Sequence, residues 1–255
     1  MIVLLGSAIW ASESELPLCR PGEPPVPCVH AALERTDAWG QPTTGWDAQS
    51  PFLDVCADGG SCAAKRTSDA VLLGATLGSA LQAVGWSIPH GDGVPVAPAL
   101  GWAGAWGGAV ALTTTTKLMS SRPRPYTYSE AFAARDEEDR LKADHHHSFV
   151  SGHTSVTGAS LFYNATSYAL FADAPDPIVE AALFGLAATG TAWVGVNRVQ
   201  AGRHFVSDVV TGGILGATLG IAGPVVAQRA LGDRSILRAP ASRDGRVMWT
   251  TGGAF

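Results

Sequence analysis

Asn197-Arg198-Val199-Gln200-Ala201-Gly202-Arg203-His204-Phe205-Val206-Ser207-Asp208 joins two apolar segments, Ala181–Val196 before it and Val209–Gln228 after it. Two arginines, a histidine and an aspartate fall within these twelve residues. His204 and Asp208 are four apart, so a helix beginning here sets them on one face within reach of each other. A carboxylate that accepts one ring N–H fixes the tautomer of an imidazole and frees the other nitrogen as base or nucleophile. Arg198 and Arg203 add fixed positive charge suited to a phosphate or a carboxylate. Taken alone, the stretch reads equally well as a solvated helix start with a local His–Asp contact.

Working outward, the flanking segments belong to a set of five uncharged stretches: Ala70–Ile88, Val94–Thr116, Thr154–Ala172, Ala181–Val196 and Val209–Gln228. Each has roughly the length needed to cross a bilayer. They are rich in Ala, Gly and Leu, and no alternating run of β-branched and aromatic residues stands out, so packed helices are expected. The expected fold is all-α, a bundle of about five to six apolar helices. Gly, Thr, Pro95, Pro98 and Pro224 weaken each stretch as an insertion signal, and hydropathy alone does not separate a membrane bundle from a soluble one with an apolar centre. The mean hydropathy of +0.15 lies between the two classes. With 17 basic against 22 acidic residues and a net charge of −5, nothing suggests nucleic-acid binding.

Residues 1–11 form a short apolar run followed by Ser12-Glu13-Ser14-Glu15. The run is too short to span and resembles the core of a secretory signal, although it lacks the basic start. Residues 12–69 are Pro/Gly-rich without helical period and contain all four cysteines, Cys19, Cys28, Cys56 and Cys62. Their spacing fits no common zinc pattern. An even count in such a segment reads as two disulfides in an oxidising compartment, with Cys19–Cys28 and Cys56–Cys62 the local pairing among three possible ones. Residues 70–228 make the helical domain, and 229–255 a basic tail.

Topology favours the membrane. If all five stretches span, Lys117–Arg124, Ser151–His153, Arg198 and His204 meet on one side, and the cysteine segment lies on that side too. The tail, with Arg229, Arg234, Arg238, Arg243 and Arg246, falls opposite, as the positive-inside tendency requires. The loop from Lys117 to His147 runs against that tendency, with six basic residues on the outer side.

Two further blocks carry chemistry. Lys117-x6-Arg124-Pro125 follows an apolar stretch, and its three cations (Arg122 among them), stiffened by two prolines, make a preorganised anion clamp. Ser148-Phe149-Val150-Ser151-Gly152-His153 precedes another stretch, where a Ser cap and a Gly allow backbone N–H groups to approach an oxyanion. His145-His146-His147 lacks helical ligand spacing and reads as a flexible loop rather than a metal site, and Asp136–Asp139 reads as a solvated run.

In combination, Lys117-x6-Arg124-Pro125, Ser151-Gly152-His153 and Arg198-x5-His204-x3-Asp208 resemble the three-part signature of the type 2 phosphatidic acid phosphatase family, which shares a superfamily with vanadium haloperoxidases. The resemblance covers roughly Ala70 to Gln228. Val150 stands where the family usually has proline, and Asn197 where it usually has serine; neither change removes a charged or nucleophilic group. The resemblance implies that His204 attacks phosphorus with Asp208 orienting it, and that His153 protonates the leaving group and then activates water. It also implies that Lys117, Arg124, Arg198, Ser151 and Gly152 hold the phosphate oxygens. Arg122 and Arg203 are outer helpers, Arg122 the better placed. No metal and no cofactor is expected. The expected substrate is a lipid or isoprenoid phosphate met at a membrane, in the cell envelope with an extracytoplasmic site. An exported soluble protein, a vanadate-dependent haloperoxidase and a noncatalytic envelope protein are the alternatives. The oligomeric state is not legible.

Overall fold

A central helix, α3 (Gly152–Phe171), packs against four others, α1 (Ala63–Trp86), α2 (Ala97–Ser120), α4 (Pro177–Gln200) and α5 (Val206–Leu231). The computed structural model describes residues 63–88, 93–128, 135–231, 236–238, 241–243 and 246–248. The fold is all-α. Its only strands among the described residues are short antiparallel ladders, β1 (Gly93–Pro95) with β2 (Ile236–Arg238) and β3 (Ala241–Arg243) with β4 (Arg246–Met248). The cysteines and the signal-like segment lie outside the described residues.

Each of the five apolar stretches is a helix, and the differences lie at the ends. α1 starts at Ala63 rather than Ala70, α4 at Pro177 rather than Ala181, and α5 at Val206 rather than Val209. In every case a charged residue in the first turns (Lys65, Arg66 and Asp69; Glu180; Asp208) hid the start from a hydropathy reading. Local chemistry sets these ends. Asp176 accepts from the N–H groups of Ile178 and Val179 at 2.7 and 3.4 Å, with Pro177 at the first helical position.

The packing is close because the contacts are small. A Cβ built on Gly212, Gly216 or Gly220 of α5 would lie 2.8 Å from Ser151 O, 2.2 Å from Ser155 O or 2.6 Å from Ala159 O, all backbone atoms of α3 and its cap. This four-residue glycine spacing puts one bare face of α5 directly on α3, as in small-xxx-small helix pairs. Elsewhere polar side chains tie the helices: Gln82 donates to Asn164 O at 3.0 Å and to Ser167 Oγ at 2.8 Å, and the Tyr163 hydroxyl donates to Pro98 O at 3.0 Å. α1, α3 and α5 begin, and α2 and α4 end, at one end of the bundle, which gathers the charged residues there.

Candidate active site

Two chain reversals bring the site residues together. α4 ends in a Schellman turn: Gly202 adopts φ 65°, its N–H donates to Val199 O, and the Arg203 N–H donates to Arg198 O at 3.1 Å. α2 ends at Ser121 in a left-handed conformation, followed by Pro123 and Pro125, which cannot continue a helix. Between them Tyr126 N donates to Gly202 O at 3.1 Å, locking the two reversals to each other.

His204 sits just ahead of α5 and is 1% exposed; Asp208, in the first turn of α5, is fully buried. His204 Nδ1 stands 3.5 Å from Asp208 Oδ2 and the same distance from Ser148 Oγ. The Asp208 carboxylate is itself fixed from three sides. Ser148 Oγ donates to Oδ2 at 2.5 Å, the Phe205 N–H donates to Oδ2 at 2.9 Å, and Arg122 pairs with Oδ1 at 2.5 Å. The Phe205 contact is the return half of a capping box, so the carboxylate that orients the histidine also caps its helix. With Nδ1 turned toward Asp208 and Ser148, Nε2 is the nitrogen those two residues leave free. Burial first, then the fields of Arg124, Arg198 and Lys117, push the His204 ring well below the ordinary imidazole range, which favours its neutral form.

The cations ring this dyad. Arg198, 4% exposed, donates to Ser68 Oγ at 3.3 Å and to Asp69 Oδ1 at 3.2 Å. Arg124, equally buried, donates to the Asp144 carbonyl and carboxylate at 2.6 Å each and to Arg203 O at 3.2 Å. Lys117 lies in the last turn of α2, and a Cβ on Gly152 would fall 3.8 Å from its Nζ. The lysine therefore faces the amino end of α3, where backbone N–H groups favour an anion. Ser151 is fully buried and caps α3, accepting weakly from Thr154 N at 3.5 Å, while its own N–H donates to Asp208 O at 3.2 Å. His153, two residues on, is hydrogen-bonded through Nε2 to Asp69 Oδ1 at 2.8 Å.

The outer residues divide as their contacts dictate. Arg122 lies with its guanidinium 4.1 Å from the centre of the Phe205 ring and also donates to Ser207 Oγ at 2.7 Å. It holds Asp208 and reaches His204 through it. Arg203 stands 3.7 Å from Asp144 Oδ2 and over the Tyr126 ring at 5.1 Å. Burial works against the Asp144 charge, yet Arg124, Lys117 and Arg203 outweigh it and hold that carboxyl below its ordinary range.

The loop carrying the three histidines is not the flexible segment the sequence suggests. Ala143–His146 forms a 3-10 turn, and the His145 carbonyl accepts from Arg124 N at 2.9 Å. His145 is buried, with the Tyr126 hydroxyl 2.5 Å from its Nδ1. The turn is a wall of the site because it packs under Arg124. Ser148, Asp69 and Asp144 are the site residues that sequence reasoning missed. Ser148 stands within a quoted block, but nothing in its spacing marks it. Asp69 and Asp144 reach the site only through tertiary packing.

Comparison with family models gives a match to the PAP2 superfamily over residues 98–231, a span that includes all three blocks. Searches of the curated proteins and of the solved structures found no match. That match supports phosphatase-type chemistry in general, a hydrolase acting on phosphate esters. With just over half of the chain matched, the protein belongs to the PAP2 superfamily.

Proposed function

We propose that the protein is a metal-independent phosphomonoesterase that acts on lipid or isoprenoid phosphates through a phosphohistidine at His204. The observation that carries this reading is the buried His204, held through Nδ1 beside Asp208 and faced by Arg124, Arg198 and Lys117. In the first step His204 Nε2 bonds to phosphorus as the ester P–O bond breaks, and His153 gives a proton to the departing oxygen. In the second step His153 takes a proton from water, which attacks phosphorus and releases inorganic phosphate and neutral His204. Lys117, Arg124, Arg198, Ser151 and the Gly152 N–H hold the nonbridging oxygens as charge shifts between them. Asp208, paired with Arg122, balances the positive charge that His204 acquires.

A membrane setting is supported by the outer surface of the bundle. Two helices, α4 and α5, are long and apolar enough to cross a bilayer, and only 22% and 28% of their most apolar windows are buried inside the fold. Leu73, Leu81, Leu186, Trp193, Ile214 and Val226 are all more than half exposed, and large apolar side chains left outward on three helices suit contact with lipid. The site lies just beyond the apolar stretches, at the level of a phosphate headgroup. α1 begins at the site end, and the sequence leading into it carries four cysteines; the oxidising compartment that such cysteines suit favours an extracytoplasmic site in the cell envelope.

The test is a substrate panel with the full chain in detergent: phosphatidic acid, an isoprenoid phosphate or pyrophosphate, lipid A and a short-chain phosphate, each with and without chelator. Long-chain phosphates are expected to be cleaved faster than the short-chain ester, with activity unchanged by chelator. Loss of turnover on chelation overturns metal independence. Halide oxidation with added vanadate, in a protein that releases no phosphate, overturns the phosphatase assignment.

A further inference from the structure

The family match begins at residue 98, so α1 lies ahead of it. Even so, the second turn of α1 reaches into the site. One oxygen of Asp69, Oδ1, is 2.8 Å from His153 Nε2 and 3.2 Å from the Arg198 guanidinium. Ser68, fully buried beside it, donates its hydroxyl to Lys65 O at 2.8 Å and accepts from Arg198 at 3.3 Å. Two consecutive residues of α1 thus hold Arg198, and one of them also holds the histidine.

We propose that Asp69 is a positioning residue for His153, so that the site contains two Asp–His pairs: Asp208 with His204 for attack, and Asp69 with His153 for proton transfer. The inference deepens the phosphatase reading above and rests on it. A carboxylate that accepts the Nε2–H fixes the proton there in the neutral ring, and leaves Nδ1 to meet the leaving-group oxygen. The charges facing His153 are otherwise cationic or neutral: Lys117 from α2, Arg198 from α4, and the His204 ring from the turn before α5. Burial and then Arg198 push the His153 ring below its ordinary range; Asp69, the carboxylate facing it from α1, works against both and favours the imidazolium that the first step requires. In that step the P–O ester bond breaks, the His204 Nε2–P bond forms, and the Nδ1 proton of His153 passes to the departing alkoxide. Asp69 keeps its charge throughout and gains or loses no proton.

This role predicts a dependence on the leaving group that a purely structural role would not show. An alkoxide needs a proton to leave, whereas p-nitrophenolate leaves without one. With the full-length protein in detergent, single-turnover release of alcohol from an alkyl phosphate is expected to slow by about 10- to 100-fold in Asp69→Asn. Release of p-nitrophenolate should fall far less, only as far as the Asp69 contact to Arg198 matters for holding phosphate, and Asp69→Glu should recover part of the alkyl rate. Equal losses on both esters, or no loss on either, overturn the inference while leaving the phosphatase reading standing. A wild-type protein that cleaves neither ester overturns that reading and this inference together. Circular dichroism of each variant separates misfolding from a change in proton transfer, and Glu tests the carboxylate if Asn does not fold.

Discussion

His204→Ala is expected to lower kcat by about 10⁴-fold or more, the scale seen when a nucleophile is removed from a working constellation. The loss should fall on kcat, with affinity for inorganic phosphate changed only a few-fold. The reason is structural. Asp208 is held by Ser148, by the Phe205 N–H and by Arg122 as well as facing His204, so its carboxylate stays in place when the imidazole is gone. Arg198 and Arg124 are anchored by Asp69 and Asp144 and make no use of the His204 side chain. The proposed phosphate clamp therefore outlives the His204 side chain. Steady-state kinetics with the best ester from the panel, paired with phosphate inhibition, measures both quantities. Full activity in this variant would sink the assignment of His204.

Gly216→Val should have the largest effect on the fold. The valine Cβ would need to occupy a point 2.2 Å from Ser155 O and 3.0 Å from Ala159 N. Neither is a side chain that can turn away, so α3 and α5 must separate. Overpacking of this kind costs about 1–3 kcal/mol or more. The separation also reaches the chemistry, because α3 begins with the Ser151 cap and His153 while α5 begins with Asp208. A shift of about 1 Å between the acid/base and the nucleophile is enough to cost about 10²-fold in rate. Gly78→Ala is the matched control: nothing lies within 4 Å of its Cβ, and alanine favours the helix. Thermal unfolding in detergent should show Gly216→Val well below wild type and Gly78→Ala at or above it. Equal melting of the two variants would contradict the packing described for α3 and α5.

The fold was legible because each helix carries an uncharged core longer than a strand and shorter than a coiled coil. Its ends were less so. Hydropathy stops at a charge, whereas a helix that supplies a charge to a site continues through it, as α1 does at Asp69 and α5 at Asp208. The three signature blocks named His204, Asp208, His153, Arg198, Arg124 and Lys117 because their spacing and order are local to the chain. The partners of those residues are not local. Asp69 reaches His153 across 84 positions and Asp144 reaches Arg124 across 20, and no periodicity marks such pairs. Ser148 illustrates the same limit. It lies three residues before Ser151, yet its position between His204 and Asp208 depends on how α5 docks on α3. The histidine run misled for a related reason: a polar composition suggests a mobile loop, but Arg124 and Tyr126 hold its first member, the buried His145.

The central claim is that His204 carries the phosphoryl group between the two steps. Its most direct measurement is rapid acid-free quenching of the wild-type protein during turnover of a labelled phosphate ester, followed by peptide mapping. The account predicts an acid-labile, base-stable phosphate on the peptide containing His204, absent in His204→Ala and accumulating in His153→Ala with p-nitrophenyl phosphate, whose leaving group needs no proton. Label on another residue, or turnover by His204→Ala at the wild-type rate, would contradict it.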